Sequence, residues 1–569
     1  MKKILIILGV LLIFIVLLLG SVGVWAYYEF LYTEPLSEAE LVELTTDWDV
    51  ITDGNWSPWF DPGDGVMEWN PAASYNAWVS SIPEDERAWP ALVDAYYTYF
   101  DLLKNDAMVE YMGTLPTDPE RWSLLVPELV SSESDALLDE LLHAFERPEM
   151  GAWLSKSTDP FEHAAWSRYV ENQPEPDGGE RPMPTPGPLD FDPQENVELM
   201  SIPRLSRITQ RQSTNFMRSK GAYELEQGDS ANFIATVRAM LRSSDMASDL
   251  PTIIGALTEL AIEHATLRMI DWALLHHGDA FDDAALQQID DALAVHTPVR
   301  FIWQGEAIAF NDALRRLGDA NGRLKPGSPA GSGSPTNLPD AKLHPSSQHA
   351  ILVHNRVLRA ASEQAGLDWD GTSGQIDAVY QRERASLNSV TAMMLGIALP
   401  ALDRTPINFR QVAQQTVGTR LAIAAYRHRA RHGDFPESLD AIGDDLIDFD
   451  LIDAFTGDPL RYRLVDGYPL IYSLGDDRTD DGGQIRWEYG DPDVQGNARR
   501  IPPSPEWFGP QRAAELRLNV PERIVGDWVL FPIPRADPKP LEYDYDGDWD
   551  LHQDGSYEDV YGEETGNDD

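Results

Sequence analysis

The residue types and spacing that most invite chemistry lie in the run Leu474-Gly475-Asp476-Asp477-Arg478-Thr479-Asp480-Asp481-Gly482-Gly483. Asp476, Asp477, Asp480 and Asp481 crowd together between glycines. Calcium takes several oxygen ligands, and a loop of closely spaced carboxylates can wrap one and lose its own internal repulsion in doing so. A solvated acidic turn, in a chain that is acidic throughout, is the alternative.

The histidines offer less. Glu162-His163 and Glu263-His264 each lie on an expected helix, where neighbours in sequence point about 100° apart, so neither pair converges on one site. His276 and His277 fall in the last turn of a helix before Gly278, where positive charge is favoured by the helix dipole. His344, His349 and His354 recur at a spacing that does not line one helical face, which weakens them as a metal site. The chain carries no Gly-rich phosphate loop, no H-E-x-x-H and no G-x-S-x-G after a strand. It has no cysteine, which removes disulfides, thiol nucleophiles and Cys-ligated zinc together. A formal net charge of −50, from 94 acidic and 44 basic residues, excludes nucleic-acid binding, which needs clustered Lys and Arg against phosphate. Such a surface attracts cations and basic partners.

The elements that must position the acidic loop precede it. Leu421, Ala424, Ala425 and Arg429 recur at helical intervals up to His432-Gly433, where Gly433 suits the left-handed position past a helix end and Pro436 blocks resumption. Two strand-like runs follow, Leu460 to Leu464 and Tyr468 to Leu474, joined by Asp466-Gly467, a pair that accepts the positive φ of a tight hairpin turn.

These residues carry a resemblance. The helix ending in Gly433-Asp-Phe-Pro436, the block Asp453-Ala-Phe-Thr-Gly457-Asp-Pro459-Leu-Arg-Tyr462 and the block Tyr472-Ser-Leu-Gly475-Asp-Asp477 occur in the order of the G-x-Y-P, D-P-W-G-x-P-Y-x-Y and S-L-G-x-D-G blocks of the type II secretion major pseudopilin. The segment 404–490 thus resembles that family's C-terminal domain. The resemblance implies a long helix packed on a small antiparallel sheet and a calcium ion in the loop. It implies Asp477, Asp480 and Asp481 as carboxylate ligands, the Leu474 carbonyl as a backbone ligand, and Trp487 shortly after. The apolar stretch Ile4 to Val24 carries no glutamate, so the resemblance does not extend to assembly into a fibre.

The rest of the chain is read from pattern. Met1-Lys2-Lys3 precedes an uncharged apolar run from Ile4 to Ala26. As a helix this run spans about 35 Å, enough for a hydrocarbon core of about 30 Å. With Lys2 and Lys3 cytoplasmic and Trp25 to Tyr28 at the far interface, everything after it is extracytoplasmic; a signal cleaved after Ala26 is the alternative. Pro83-Glu84-Asp85-Glu86 opens an amphipathic helix whose true start Pro90 shifts later. Trp56, Trp59, Trp69 and Trp78 are core residues or a sugar-stacking surface. Helices capped by Asp229-Ser230, opened at Pro251-Thr252 and started by Asp282-Asp283 follow one another with short connections, as in a bundle or helical hairpins. Further helical patterning runs from Gln348 to Ala365 and from Ile376 to Leu399, with Pro400 as the stop. Asp544, Asp546, Asp548 and Asp550 alternate as in an EF-hand loop, but Trp549 stands where that loop needs glycine and Gly555 where it needs glutamate.

The expected organisation is therefore a transmembrane signal anchor (1–28), a Trp-rich helical region (29–172), a Pro/Gly linker (173–200), a helical bundle (201–323), a flexible linker (324–347), helices (348–403), the pseudopilin-like helix-plus-hairpin domain (404–490) and an irregular acidic tail (491–569). The fold class is mainly α, with a small C-terminal α+β domain. The functional expectation is a membrane-anchored extracytoplasmic structural or interaction protein that binds calcium and engages an envelope partner. An anchored hydrolase with a dispersed His and carboxylate site is the alternative.

Overall fold

The structure, a computed structural model, describes residues 71–102, 106–154, 160–172, 205–247, 253–294, 352–360, 375–384, 400–443, 445–475, 478–483, 485–488 and 523–532, with a few positions around 37 and 306–312. The anchor at 1–28, the linkers at 173–200 and 324–347, Trp56, Trp59, Trp69, His344, His349, Asp476 and Asp477, and the alternating aspartates from Asp544 onward lie outside the described residues. Among the described residues no helix is long and apolar enough to cross a membrane.

The chain is mainly helical with a small antiparallel sheet. Its first helices are α1 (Pro71–Ser81), α2 (Trp89–Leu102), α3 (Asp106–Tyr111), α4 (Pro119–Leu129), α5 (Ser132–Phe145) and α6 (Pro160–Asn172). Glu84–Glu86 forms only a 3-10 turn, and α2 starts at Trp89 with Pro90 in the first turn, where its missing N–H leaves no bond unmade. The next four are α7 (Leu205–Glu226), α8 (Ser230–Ala247), α9 (Ile253–His277) and α10 (Asp283–Leu293). Their starts follow the caps written in the sequence. Asp229 Oδ1 accepts from Asn232 N at 3.0 Å, and Asp282 Oδ1 accepts from Ala285 N at 2.7 Å.

The hydrophobic core runs without a break from α1 to the sheet, so the regions on either side of the 173–200 linker share one interior. Lys220 of α7 is a buried polar tie between them. Its side chain is 1% exposed, and its ammonium donates to the Leu129 carbonyl at 2.8 Å and pairs with Glu224 at 2.6 Å and Asp135.

After α11 (Gln375–Arg384), the central element is α12 (Pro400–His432). Pro400, expected to stop the helix before it, is the first residue of α12, a position its fixed φ suits; residues 385–399 lie outside the described residues. Consequently α12 crosses the boundary drawn at 403. It packs on α9 and α10 along one side and on the sheet along another. Arg420 is buried against α10, with Nε 2.7 Å from Asp290 Oδ1 and Nη2 2.8 Å from Asp448 Oδ1, its guanidinium lying 4.0 Å over the Phe449 ring. Arg427 and Arg431 both hold Asp283, at 2.8 and 2.9 Å.

The hairpin forms as expected between β1 (Arg461–Val465) and β2 (Tyr468–Ser473), with Tyr462 opposite Ile471. Asp466 and Gly467 take φ of 51° and 81°, the left-handed pair such a turn requires. Beyond it lie β3 (Ile485–Glu488), β4 (Arg523–Gly526) and β5 (Trp528–Phe531). β3 pairs with β4, and β5 completes a sheet of order β1-β2-β5. The expectation of an irregular tail over 491–569 is thus corrected. Trp528-Val-Leu-Phe531 is too short an apolar run to show a period, and only pairing with β2 makes it a strand. A Cβ at Gly418 of α12 would lie 2.4 Å from Leu530 Cβ, so glycine is what lets β5 reach the helix.

Asp290→Ala leaves Arg420 buried without its bidentate partner and is expected to lower unfolding stability by about 3–5 kcal/mol. The double change Asp290→Leu with Arg420→Met removes both charges and loses less. Chemical denaturation of the two variants checks this; a double variant weaker than the single one would refute it.

Candidate functional site

The blocks that carry the family resemblance meet where the end of α12 faces the sheet. Asp453 is the node. Its side chain is buried, and Oδ1 accepts from Phe455 N at 2.9 Å and Ser473 Oγ at 2.8 Å, while Oδ2 accepts from Leu474 N at 2.8 Å. Its own carbonyl accepts from Gly457 N at 2.8 Å, closing the Asp453–Pro459 loop. Gln414 of α12 accepts from Ala454 N at 2.7 Å, and the Tyr462 hydroxyl donates to the Pro436 carbonyl at 2.8 Å. One buried carboxylate therefore binds the loop to the end of β2, while Gln414 ties the loop to α12 and Tyr462 ties β1 to the segment after that helix. These are structural roles.

The residues expected to hold calcium are placed unevenly. Asp477 lies outside the described residues. Asp480 is exposed and already engaged: Oδ1 accepts from the Tyr472 hydroxyl at 3.0 Å and Gly482 N at 2.9 Å, and Oδ2 lies 3.6 Å from Arg461 Nε. Leu474 is buried, with its N–H held by Asp453. Among the described residues no three His, Asp or Glu side chains converge as a metal-binding group.

A residue that local sequence does not flag stands beside them. Asp527, between β4 and β5, is fully buried; Oδ2 accepts from Gly483 N at 2.6 Å, and Oδ1 has no hydrogen-bond partner among the described residues. Burial pushes its carboxyl up to about 7 against the pull of the Gly483 and Asp481 amides, and the charges of Asp480 and Asp481 push the same way. Asp527 thus joins the acidic loop from the start of β5, whose Trp528 pairs with Ser473 at the end of β2. Its only sequence signal, a Gly-Asp before four apolar residues, is generic.

The histidines separate as helical geometry dictates. Glu263 accepts from the Thr416 hydroxyl of α12 at 2.7 Å, whereas His264 turns toward Arg218 and Arg268. His354 is buried and stacked on Phe310 at 3.8 Å, and burial pushes its imidazole down to about 3, so it is neutral. His276 and His277 lie against Trp272, and burial lowers the His277 pKa, opposing the positive charge expected at that helix end.

For Asp527 the folded pKa stands above the ordinary value of 3.8, so the folded chain keeps a proton that the unfolded chain releases between about pH 4 and 7. Stability from this group falls as pH rises through that window, and its full cost is present above it. Asp527→Asn is therefore expected to unfold at a higher midpoint than the parent at pH 8 in the absence of divalent ions, with the difference vanishing near pH 4. Thermal unfolding across this range measures it; a difference independent of pH would refute the assignment.

Compared with known proteins, the chain matches no family model, no curated protein and no solved structure.

Proposed function

We propose that this chain is a membrane-anchored, extracytoplasmic structural or interaction protein whose pseudopilin-like C-terminal module is stabilised by calcium. The observation that carries the reading is the meeting of the resemblance blocks at one junction. Gly433–Pro436, Asp453–Pro459 and Ser473–Gly475 are far apart in the chain, yet the Asp453 carboxylate, Gln414 and Tyr462 bond them together. A role as a framework accords with how the polar groups of α12 are used: Gln414, Thr416, Arg420 and Arg427 are all buried and all bonded to other elements of the same chain.

Calcium fits the acidic loop in part. Asp527 offers a buried carboxylate oxygen without a hydrogen bond, and its repulsion with Asp480 and Asp481 is the kind a divalent cation relieves. Asp481, Asp527, Asp477 and the Leu474 carbonyl would hold the ion; Asp480 would have to leave Tyr472 and Arg461 to join them. The partner is an envelope protein, held near the membrane by the apolar helix at 1–28. The strong negative charge favours a basic contact surface on that partner.

Saturating calcium is expected to raise the thermal midpoint relative to chelator by several degrees, with the shift lost in Asp477→Ala and Asp527→Asn. Equal midpoints with and without calcium in the parent would remove the ion from the proposal. For the location, the chain is expected in the membrane fraction after an alkaline wash, with residues beyond 28 cleaved by protease added from the extracytoplasmic side. Release into the soluble cytoplasmic fraction would remove the anchor.

A further inference from the structure

The strongest unassigned feature lies in the helical part, away from the sheet. Helices α7 and α9 line an open cleft of about 650 Å³, a size that takes a drug-sized ligand. Its polar wall is cationic. Arg211 and Arg218 come from α7, two turns apart on one face, and His264 and Arg268 come from α9, one turn apart. No carboxylate lines it among the described residues. In a chain with more than twice as many acidic as basic residues, a cleft with three arginines and no lining acid runs against the composition.

Two further observations bear on what it would hold. Arg268 Nε is buried without an acceptor among the described residues. Burial lowers the pKa of this guanidinium, with the Asp271 charge only partly offsetting the effect. Burial also pushes His264 down to about 4, and the charges of Arg268 and Arg218 add to that, so its ring is neutral and available for hydrogen bonding. The part of the α9 wall nearer the start of that helix is apolar. Ile254 and Leu257 line the cleft there and stay 39% and 38% exposed.

The geometry points to a binding site for a small amphiphilic oxyanion, its phosphate or carboxylate head held by Arg218, Arg268 and Arg211 and its short apolar body laid on Ile254 and Leu257. Forked guanidinium donors suit the planar or tetrahedral oxyanion, and partial burial of Arg268 strengthens its charge-assisted bond. The net charge of the chain disfavours docking on an anionic bilayer, so the ligand comes from solution as a single molecule.

Isothermal titration calorimetry of the full chain with hexyl phosphate tests this, with inorganic phosphate and hexyltrimethylammonium as paired controls. Hexyl phosphate is expected to bind saturably and at least about tenfold more tightly than inorganic phosphate, the ammonium not at all. Arg268→Gln removes head contacts and Leu257→Glu spoils the apolar wall; each is expected to weaken binding about tenfold or more. Leu257 is partly exposed, so its variant keeps the test valid if Arg268→Gln fails to fold. Absence of saturable binding, equal binding of the ammonium, or unchanged affinity in Leu257→Glu would overturn the proposal. Displacement of hexyl phosphate by phosphatidylglycerol vesicles would overturn the assignment to a soluble ligand.

Discussion

The burial of Arg420 between α10 and the loop after α12 is the interaction on which the rest of the C-terminal half depends. A guanidinium taken out of water must find acceptors, and this one meets the carboxylate of Asp290 bidentately from 130 positions away and that of Asp448 from 28. Satisfying it fixes the distance and rotation of α12 against α10, and it draws the 445–450 segment over the helix, with Phe449 under the charge. Arg427 and Arg431 repeat the arrangement about two and three turns further on by sharing Asp283. With α12 held on that side, its other surface is free to carry β2 and β5, and Gly418 permits the closest approach.

The acidic excess of the chain explains why such pairs are easy to build and why the exceptions are informative. The buried Arg420 and Arg427 both find carboxylates in a chain with 94 acids, whereas most carboxylates must stay in water or share a hydrogen-bond donor. Asp453 is the well-supplied case, with two amides and a hydroxyl on its oxygens. Asp527 is the poorly supplied case, with one oxygen left without a bond and two further aspartates close enough to raise its pKa. Both residues are buried in the same module. They differ in what surrounds them: stability at Asp453, and an electrostatic cost at Asp527 that a cation would offset.

The same reasoning sorts the histidines and arginines. Glu263 and His264 are adjacent in sequence, yet one turns to Thr416 in the interior and the other to the arginine-lined cavity, because a helix separates neighbours by about 100°. The interior pair stiffens the contact between α9 and α12. The outward one belongs to a cationic surface that no charge average over the chain would suggest.

Local chemistry decided what could be read from the sequence alone. The helix starts at Asp229 and Asp282, the stop at Gly433 with φ of 94°, and the turn at Asp466-Gly467 each depend on atoms within a few residues of one another, so their types and spacing announce them. The resemblance blocks were legible for the same reason, as was the mainly helical class. The tertiary structure alone decided that Trp528–Phe531 becomes a strand, that Asp527 enters the acidic loop, that Arg420 selects Asp290, and that Arg211, Arg218 and Arg268 share a cavity without a lining carboxylate. Each of these joins residues tens to more than a hundred positions apart or separates neighbours onto opposite helix faces. Their energies come from burial and from pairing across elements, quantities that exist only once the helices and strands have packed.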